Sequence, residues 1–251
     1  TLDRTMLGAL ASTKDVGIYD QALKLVNILL TLVTSLGSVM LPRVAHLLAT
    51  GDHKAVNKMH EMSFLIYNLV IFPMMAGILI VNDDFVQFFL GQDFQDARYA
   101  IAIMIFRMFF IGWTNIMGIQ ILIPHNQNKE FMISTTAPAI ISVGLNLLFL
   151  PKLGYIGAAI VSVLTEALVW AIQLYFTRRY LKEVPLIGSL TKIILASAIM
   201  YGILLGLKTV IHFSPTINVI VFAVLGGIIY LFAILSLKVV DIKELKQIIK
   251  K

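Results

Sequence analysis

Three ionisable side chains stand inside long apolar stretches of this sequence: Lys24, Arg107 and Glu166. A charge at the centre of a membrane helix costs roughly 2.5–3.5 kcal/mol on insertion scales, so such residues face a cavity or a partner side chain. At steps of three and four residues Lys24 continues through Asn27, Thr31, Ser35 and Ser38, with Asp20 one turn before it; this is the most polar face in the chain. Arg107 shares a stripe with Thr114 and Gly118, with Asn115 alongside, and Glu166 shares one with Ser162 and Gln173, flanked by Thr165. Cations in such places lower the barrier for a negative group crossing a low-dielectric region, and the amides and hydroxyls offer hydrogen bonds. Each has a structural alternative. Lys24 either contacts a substrate or pairs with Asp20 and extends to the interface. Arg107 and Glu166 either serve a cavity or form a buried pair, and Glu166 is also placed to cap exposed backbone.

The elements that must position these groups follow from composition. Of 251 residues 59% are hydrophobic and 14% charged, there is no cysteine, and the mean hydropathy is +0.88. A soluble domain carries about a quarter charged residues, so the solvent of this chain is mostly lipid. The absence of cysteine excludes disulfides, thiolate metal sites and cysteine nucleophiles. A spanning helix needs about 20 mostly apolar residues. Such stretches occur at 20–42, 63–81, 99–123, 132–150, 155–176 and 217–237, with a seventh at 190–210 whose Lys192 and Lys208 reach its ends. The expected fold is therefore all-α, a polytopic transmembrane bundle of about seven spans. Residues 1–11 read as the end of a further helix, which points to a truncated chain. The expected organisation is a helix end and external link at 1–19, a lobe at 20–176, two further spans at 190–237 and a basic tail at 238–251.

Charge placement sets the expected orientation. Arg43, Lys54, Lys58, Lys129, Arg178, Arg179, Lys182 and the tail lysines fall on one side, which the positive-inside rule assigns to the cytoplasm with the C-terminus. Asp3, Asp15, Asp83, Asp84, Asp93 and Asp96 collect on the other, where the Asp83–Asp84 pair reads as a solvated turn. Asp52 is expected to cap a short interfacial helix over 52–62 with Val56 and Met59 on the membrane, and Asp241 to cap a tail helix. Gly202 and Gly206 match a small-xxx-small helix contact. Histidines 46, 53 and 60 repeat every seven residues, but Gly51 interrupts them. No metalloprotease HExxH, nucleophile elbow or phosphate-binding loop is present, and no metal, cofactor or nucleic acid is expected.

A series of local patterns carries a resemblance. They are Leu2-Asp3-Arg4-Thr5-Met6-Leu7-Gly8, then Val16-Gly17-Ile18-Tyr19-Asp20-Gln21-Ala22, Leu41-Pro42-Arg43, Leu90-Gly91-Gln92-Asp93-Phe94, and Pro151-Lys152-Leu153-Gly154-Tyr155-Ile156-Gly157-Ala158-Ala159 leading to Thr165-Glu166. In this order and spacing the chain resembles the C-terminal half of Wzx-type polysaccharide (O-antigen and capsule repeat-unit) flippases of the MATE/MOP transporter superfamily.

That resemblance implies a fourteen-helix transporter of two six-helix lobes and two extra C-terminal helices, of which this chain holds the end of helix seven and helices eight to fourteen. The implied substrate is an undecaprenyl-diphosphate-linked oligosaccharide, moved by alternating access across the bacterial cytoplasmic membrane. The expected cavity residues are then Lys24 and Arg107 for the diphosphate, with Asn27, Thr31, Ser35, Asn115 and Gln173 for sugar hydroxyls. Glu166, the acid deepest in a span, is the candidate for sodium or proton coupling. The expected partners are that substrate, the bilayer, a first lobe of the same protein and other polysaccharide-assembly membrane proteins. Competing readings are a lipid II flippase or multidrug exporter of the same superfamily, a membrane glycosyltransferase or polymerase, and an inactive split-gene fragment. Connections of no more than about twenty residues disfavour the glycosyltransferase.

Overall fold

In the computed structural model, residues 2–211 and 213–239 are described, with the backbone alone for residues 2, 32, 33 and 35–39. Among them the apolar runs form helices only: α1 (Leu2–Leu10), α2 (Thr13–Ala49), α3 (His53–Phe89), α4 (Ala97–Met104), α5 (Arg107–Thr114), α6 (Asn128–Leu181), α7 (Leu186–Lys208) and α8 (Pro215–Ser236). α5 runs on into a π-helical stretch, Asn115–Leu122, and Ala97–Leu122 together make one candidate span. Polar side chains set the helix starts. Ser12 and Asp15 form a reciprocal capping box at α2, and Asp52 accepts the Ala55 amide at 3.0 Å to start α3. The expected short helix over 52–62 is instead the first turns of the unbroken α3, with Val56 buried rather than laid on a membrane. The tail from residue 240, with Asp241 and its expected helix, lies outside the described residues.

A straight α6 of 54 residues would measure roughly 80 Å, far more than a bilayer needs. It folds back at Gly154, whose φ of 51° and ψ of −131° suit glycine alone, into two legs, 128–153 and 155–181. Five helices among the described residues are long and apolar enough to cross a membrane: α3, Ala97–Leu122, α6, α7 and α8. Counting both legs of α6, they contain the stretches 63–81, 99–123, 132–150, 155–176, 190–210 and 217–237, to within one residue at 123 and 237 and two at 210. The stretch 20–42 lies in α2.

One apolar core runs through α1 to α6, with Leu7, Tyr19, Ile71, Met104, Ile116 and Ala158 at its centre. α7 and α8 pack on α3 and on each other around Ile80, Ile193, Met200, Leu204 and Phe222. The α7 contact uses the 193, 196, 200, 204 face, and Gly202 and Gly206 look onto open space, so they are not the helix contact expected of them. Lys208 does not snorkel; it donates to the Ile80 carbonyl and pairs with Asp84 at 3.3 Å. Asp84 also accepts from Asn218 at 2.9 Å. Asp83 and Asp84 lie in the last turns of α3 rather than in the solvated turn expected of them; only Asp83 is exposed, and Asp84 ties α7 and α8 to α3.

Antiparallel packing gathers the links at 50–52, 123–127 and 182–185 at one end, where Asn57 donates to Glu183 at 2.7 Å and His125 stacks on Tyr180. The links at 11–12 and 90–96 and the α6 corner lie at the other. There Lys14 pairs with Asp96 at 3.5 Å, and Asp15 Oδ1 accepts the Tyr155 amide at 3.2 Å.

Candidate functional site

α2 presents its polar face outward. Asp20 Oδ2 holds Lys24 at 3.1 Å and its Oδ1 holds Arg4 at 3.2 Å, while both cations remain more than half exposed. Thr31 donates to the Asn27 backbone carbonyl at 2.9 Å, the Asn27 side-chain amide has no partner among the described residues, and both residues are exposed. The Ser35 and Ser38 side chains lie outside the described ones. The pairing of Lys24 with Asp20 is thus present, and it leaves the ammonium accessible.

The second cation is inside the bundle. Arg107, at the start of α5, donates through Nη2 to Glu166 Oε1 at 3.2 Å, with side chains 12% and 23% exposed. Its Nε and Nη1 are buried without a hydrogen-bond partner among the described residues. Phe109, Phe110, Trp113 and Trp170 pack around this level as a continuous aromatic cluster, which lowers the local dielectric and strengthens the pair. The candidate cavity cation and the candidate coupling acid are therefore partners.

Asn115 and Gln173 are not on the α2 face. Asn115 accepts from the Tyr67 hydroxyl at 2.9 Å, joining α5 to α3. Gln173 is 1% exposed and donates to Ser134 at 3.2 Å between the legs of α6, with Gly118 of the π-helix against it. A Cβ on Gly118 would stand 2.7 Å from the Phe131 ring, so the π-helix can lie here only without a side chain at that position. Gln173 is placed to bridge helices rather than to meet a sugar.

Asp3 lies in α1, within the helix end expected at 1–11, but it also reaches inward, which the sequence alone does not foretell: it accepts from Asn146 Nδ2 at 2.7 Å and from the Tyr19 hydroxyl at 3.4 Å. Asn146 is fully buried with Oδ1 unpartnered among the described residues, and Tyr19 is fully buried where it meets Asp3. The available signal was the spacing of Ser142 and Asn146 on one face of the first leg of α6. Outside the spans, burial raises the Asp15 carboxyl, but the Ser12 hydroxyl, the Tyr155 and Ser12 amides and Lys14 bring it net below the ordinary carboxylate value.

The chain is a bundle of apolar helices long enough to cross a membrane, with charged and amide side chains facing inward and along one outer face, and the comparisons say what it is similar to. Residues 1–99 match the family of polysaccharide biosynthesis proteins. The chain is 28% identical to an uncharacterized membrane protein of Methanocaldococcus jannaschii, over 98% of this chain and 47% of that one. It is 21% identical to a probable low-salt glycan biosynthesis flippase of Haloferax volcanii, over 91% and 48%. It is 27% identical to a putative O-antigen transporter of Escherichia coli, over 69% and 41%. The chain thus spans about half the length of the relatives it matches. Its fold is that of the lipid II flippase MurJ in an inward closed conformation, with a TM-score of 0.75 over 87% of this chain and 46% of that chain, at 17% identity. In sequence the chain is thus similar to polysaccharide biosynthesis proteins and flippases, and in fold to a flippase.

Proposed function

We propose that this chain is a substrate-handling lobe of a flippase that moves undecaprenyl-diphosphate-linked oligosaccharide repeat units across the cytoplasmic membrane for polysaccharide synthesis. The observation that carries this reading is the exposure of Lys24, Asn27 and Thr31 on one face of α2, beside the exposed Ile28, whereas among the described residues the exposed positions Ile140, Leu147, Ile228 and Phe232 on α6 and α8 are apolar. Lipid does not accommodate such a polar stripe, so it borders a wet cavity closed by a second lobe. Arg107 supports the same reading, since two of its donors are uncommitted and suit phosphate oxygens. Glu166 is the proposed coupling acid: released from Arg107, it is free to take up a proton or sodium ion. The cation-rich end formed by the 50–52, 123–127 and 182–185 links is proposed to be cytoplasmic, together with the C-terminus. Other polysaccharide-assembly proteins are proposed partners there.

The names of the relatives, glycan biosynthesis flippase and O-antigen transporter, favour this substrate over lipid II, because the likeness to the lipid II flippase is one of fold. Two accessible or under-partnered cations also suit an anionic substrate better than a cationic drug. The test is complementation of strains lacking either an oligosaccharide flippase or the lipid II flippase, using the full-length protein that contains this chain. Export should return in the first strain only and fall at least about tenfold when Lys24 and Arg107 are both replaced by Gln. Rescue of only the second strain would overturn the substrate, and export at the unsubstituted rate would overturn the role of the cations.

A further inference from the structure

At the end proposed to be cytoplasmic, a groove of about 550 Å³ opens between the legs of α6. The first leg supplies Gln127 and Glu130, the second Tyr175, Arg178, Arg179 and Lys182. The Arg178 guanidinium lies over the Tyr175 ring at 4.4 Å and that of Arg179 over Tyr180 at 4.7 Å. Stacking holds each guanidinium flat with its edge donors pointing away from the ring. Among the described residues neither arginine nor Lys182 forms an ion pair or side-chain hydrogen bond, although Glu130 shares the groove. A helix C-terminus favours cations in general. It does not account for like charges set four residues apart, which repel, nor for a concave site with aromatic rings in it.

We propose that this groove is a loading site for the diphosphate headgroup of the lipid-linked substrate, reached before the headgroup enters the lobe; this rests on the flippase reading and on the orientation above. Two guanidinium forks and an ammonium match the oxygens and charge of a diphosphate. Gln127, Glu130 and the Tyr175 hydroxyl are then within the same groove to hydrogen-bond the first sugar, and the Tyr175 ring is exposed beside them. Phosphatidylglycerol and inorganic diphosphate share part of this chemistry, so they serve as the competing ligands.

The experiment places the chain in phosphatidylcholine nanodiscs and titrates undecaprenyl diphosphate, phosphatidylglycerol and inorganic diphosphate separately. The variant Arg178→Gln/Arg179→Gln/Lys182→Gln is compared with Arg43→Gln/Lys54→Gln/Lys58→Gln, which removes the same charge from the same end. The first should weaken undecaprenyl diphosphate binding at least about tenfold, and the second less than about twofold. Arg178→Lys/Arg179→Lys, which keeps charge but loses the forks, should fall between them. Equal losses in both charge-removing variants, an equal loss for phosphatidylglycerol, or tighter binding of inorganic diphosphate than of the lipid would overturn the proposal. If the unsubstituted chain binds undecaprenyl diphosphate and the triple variant binds it equally well, the groove assignment fails alone. If the unsubstituted chain binds none, the groove and the flippase reading fail together.

Discussion

The interior between α1 and α6 and the interior between α3, α7 and α8 are built from different materials. The first buries Asn68, Gln120, Ser134, Asn146 and Gln173, each at most 3% exposed, together with the Arg107–Glu166 pair. The second is almost wholly aliphatic and aromatic, and its charged contact, Lys208–Asp84 with Asn218, sits at one end. In lipid an apolar helix face gains little by leaving the bilayer, so α7 and α8 are held by close packing and by those few polar ties. Buried polar groups are costly in the same medium, and Arg107, Gln120, Asn146 and Gln173 each keep an atom without a partner among the described residues. The first interior therefore carries unspent hydrogen-bonding capacity that the aliphatic contact of α7 and α8 on α3 largely lacks.

This contrast can be broken at its most charged point. Glu166→Ala leaves the Arg107 guanidinium enclosed and unpaired, and the bundle should lose about 2–3 kcal/mol, read by SDS or thermal unfolding of the reconstituted chain. Arg107→Met/Glu166→Met should recover most of that loss while still failing in export. A double variant as unstable as the single one would show that the pair is a net stabiliser and not a retained functional cost.

Gly154→Ala comes next. A side chain there both adopts a left-handed conformation and meets Asp15 Oδ1 at 2.6 Å, so a loss of about 2 kcal/mol is expected, confined to the lobe. Lys208→Ala should cost about 1–2 kcal/mol and raise hydrogen exchange in α7 and α8 while leaving the legs of α6 protected. Exchange that rises equally in both regions would erase the distinction between them.

Smaller effects sharpen the picture at the rim. The Asp15 carboxyl sits below its ordinary value in the folded chain, so its contribution is complete above the unfolded carboxylate range near 4 and is lost as pH falls through the lower, folded value. Asp15→Asn should remove that part of the acid sensitivity, seen by comparing unfolding at pH 3 and pH 6. Lys24→Gln breaks an exposed pair and should cost less than about 1 kcal/mol, yet reduce export. Lost stability without lost export would move Lys24 from the cavity to the scaffold.

The sequence made the helices legible because a bilayer demands long apolar runs, and the Asp20–Lys24 pair legible because four residues make one turn. Phase was less secure. The stripe drawn from Arg107 through Thr114 to Gly118 assumes α-helical steps, and the π-helical stretch Asn115–Leu122 shifts its last member out of phase. Asp3 and Asp84 look like external acids until Asn146 and Asn218 arrive from 143 and 134 residues away. The Arg178–Tyr175 groove was hidden for a similar reason. Its arginines read as topology signals, and the concavity exists only once the two legs of α6 lie side by side.

The carboxylate of Asp15 serves two helix starts, its own through Ser12 and that of the second leg of α6 through the Tyr155 amide. The second partner is made 140 residues after Asp15 itself. At about 5–20 residues per second, a ribosome needs on the order of ten seconds to supply it. Until then water must hold that side of the carboxylate, and when the α6 corner displaces it the first and the last parts of the lobe are joined through a single side chain.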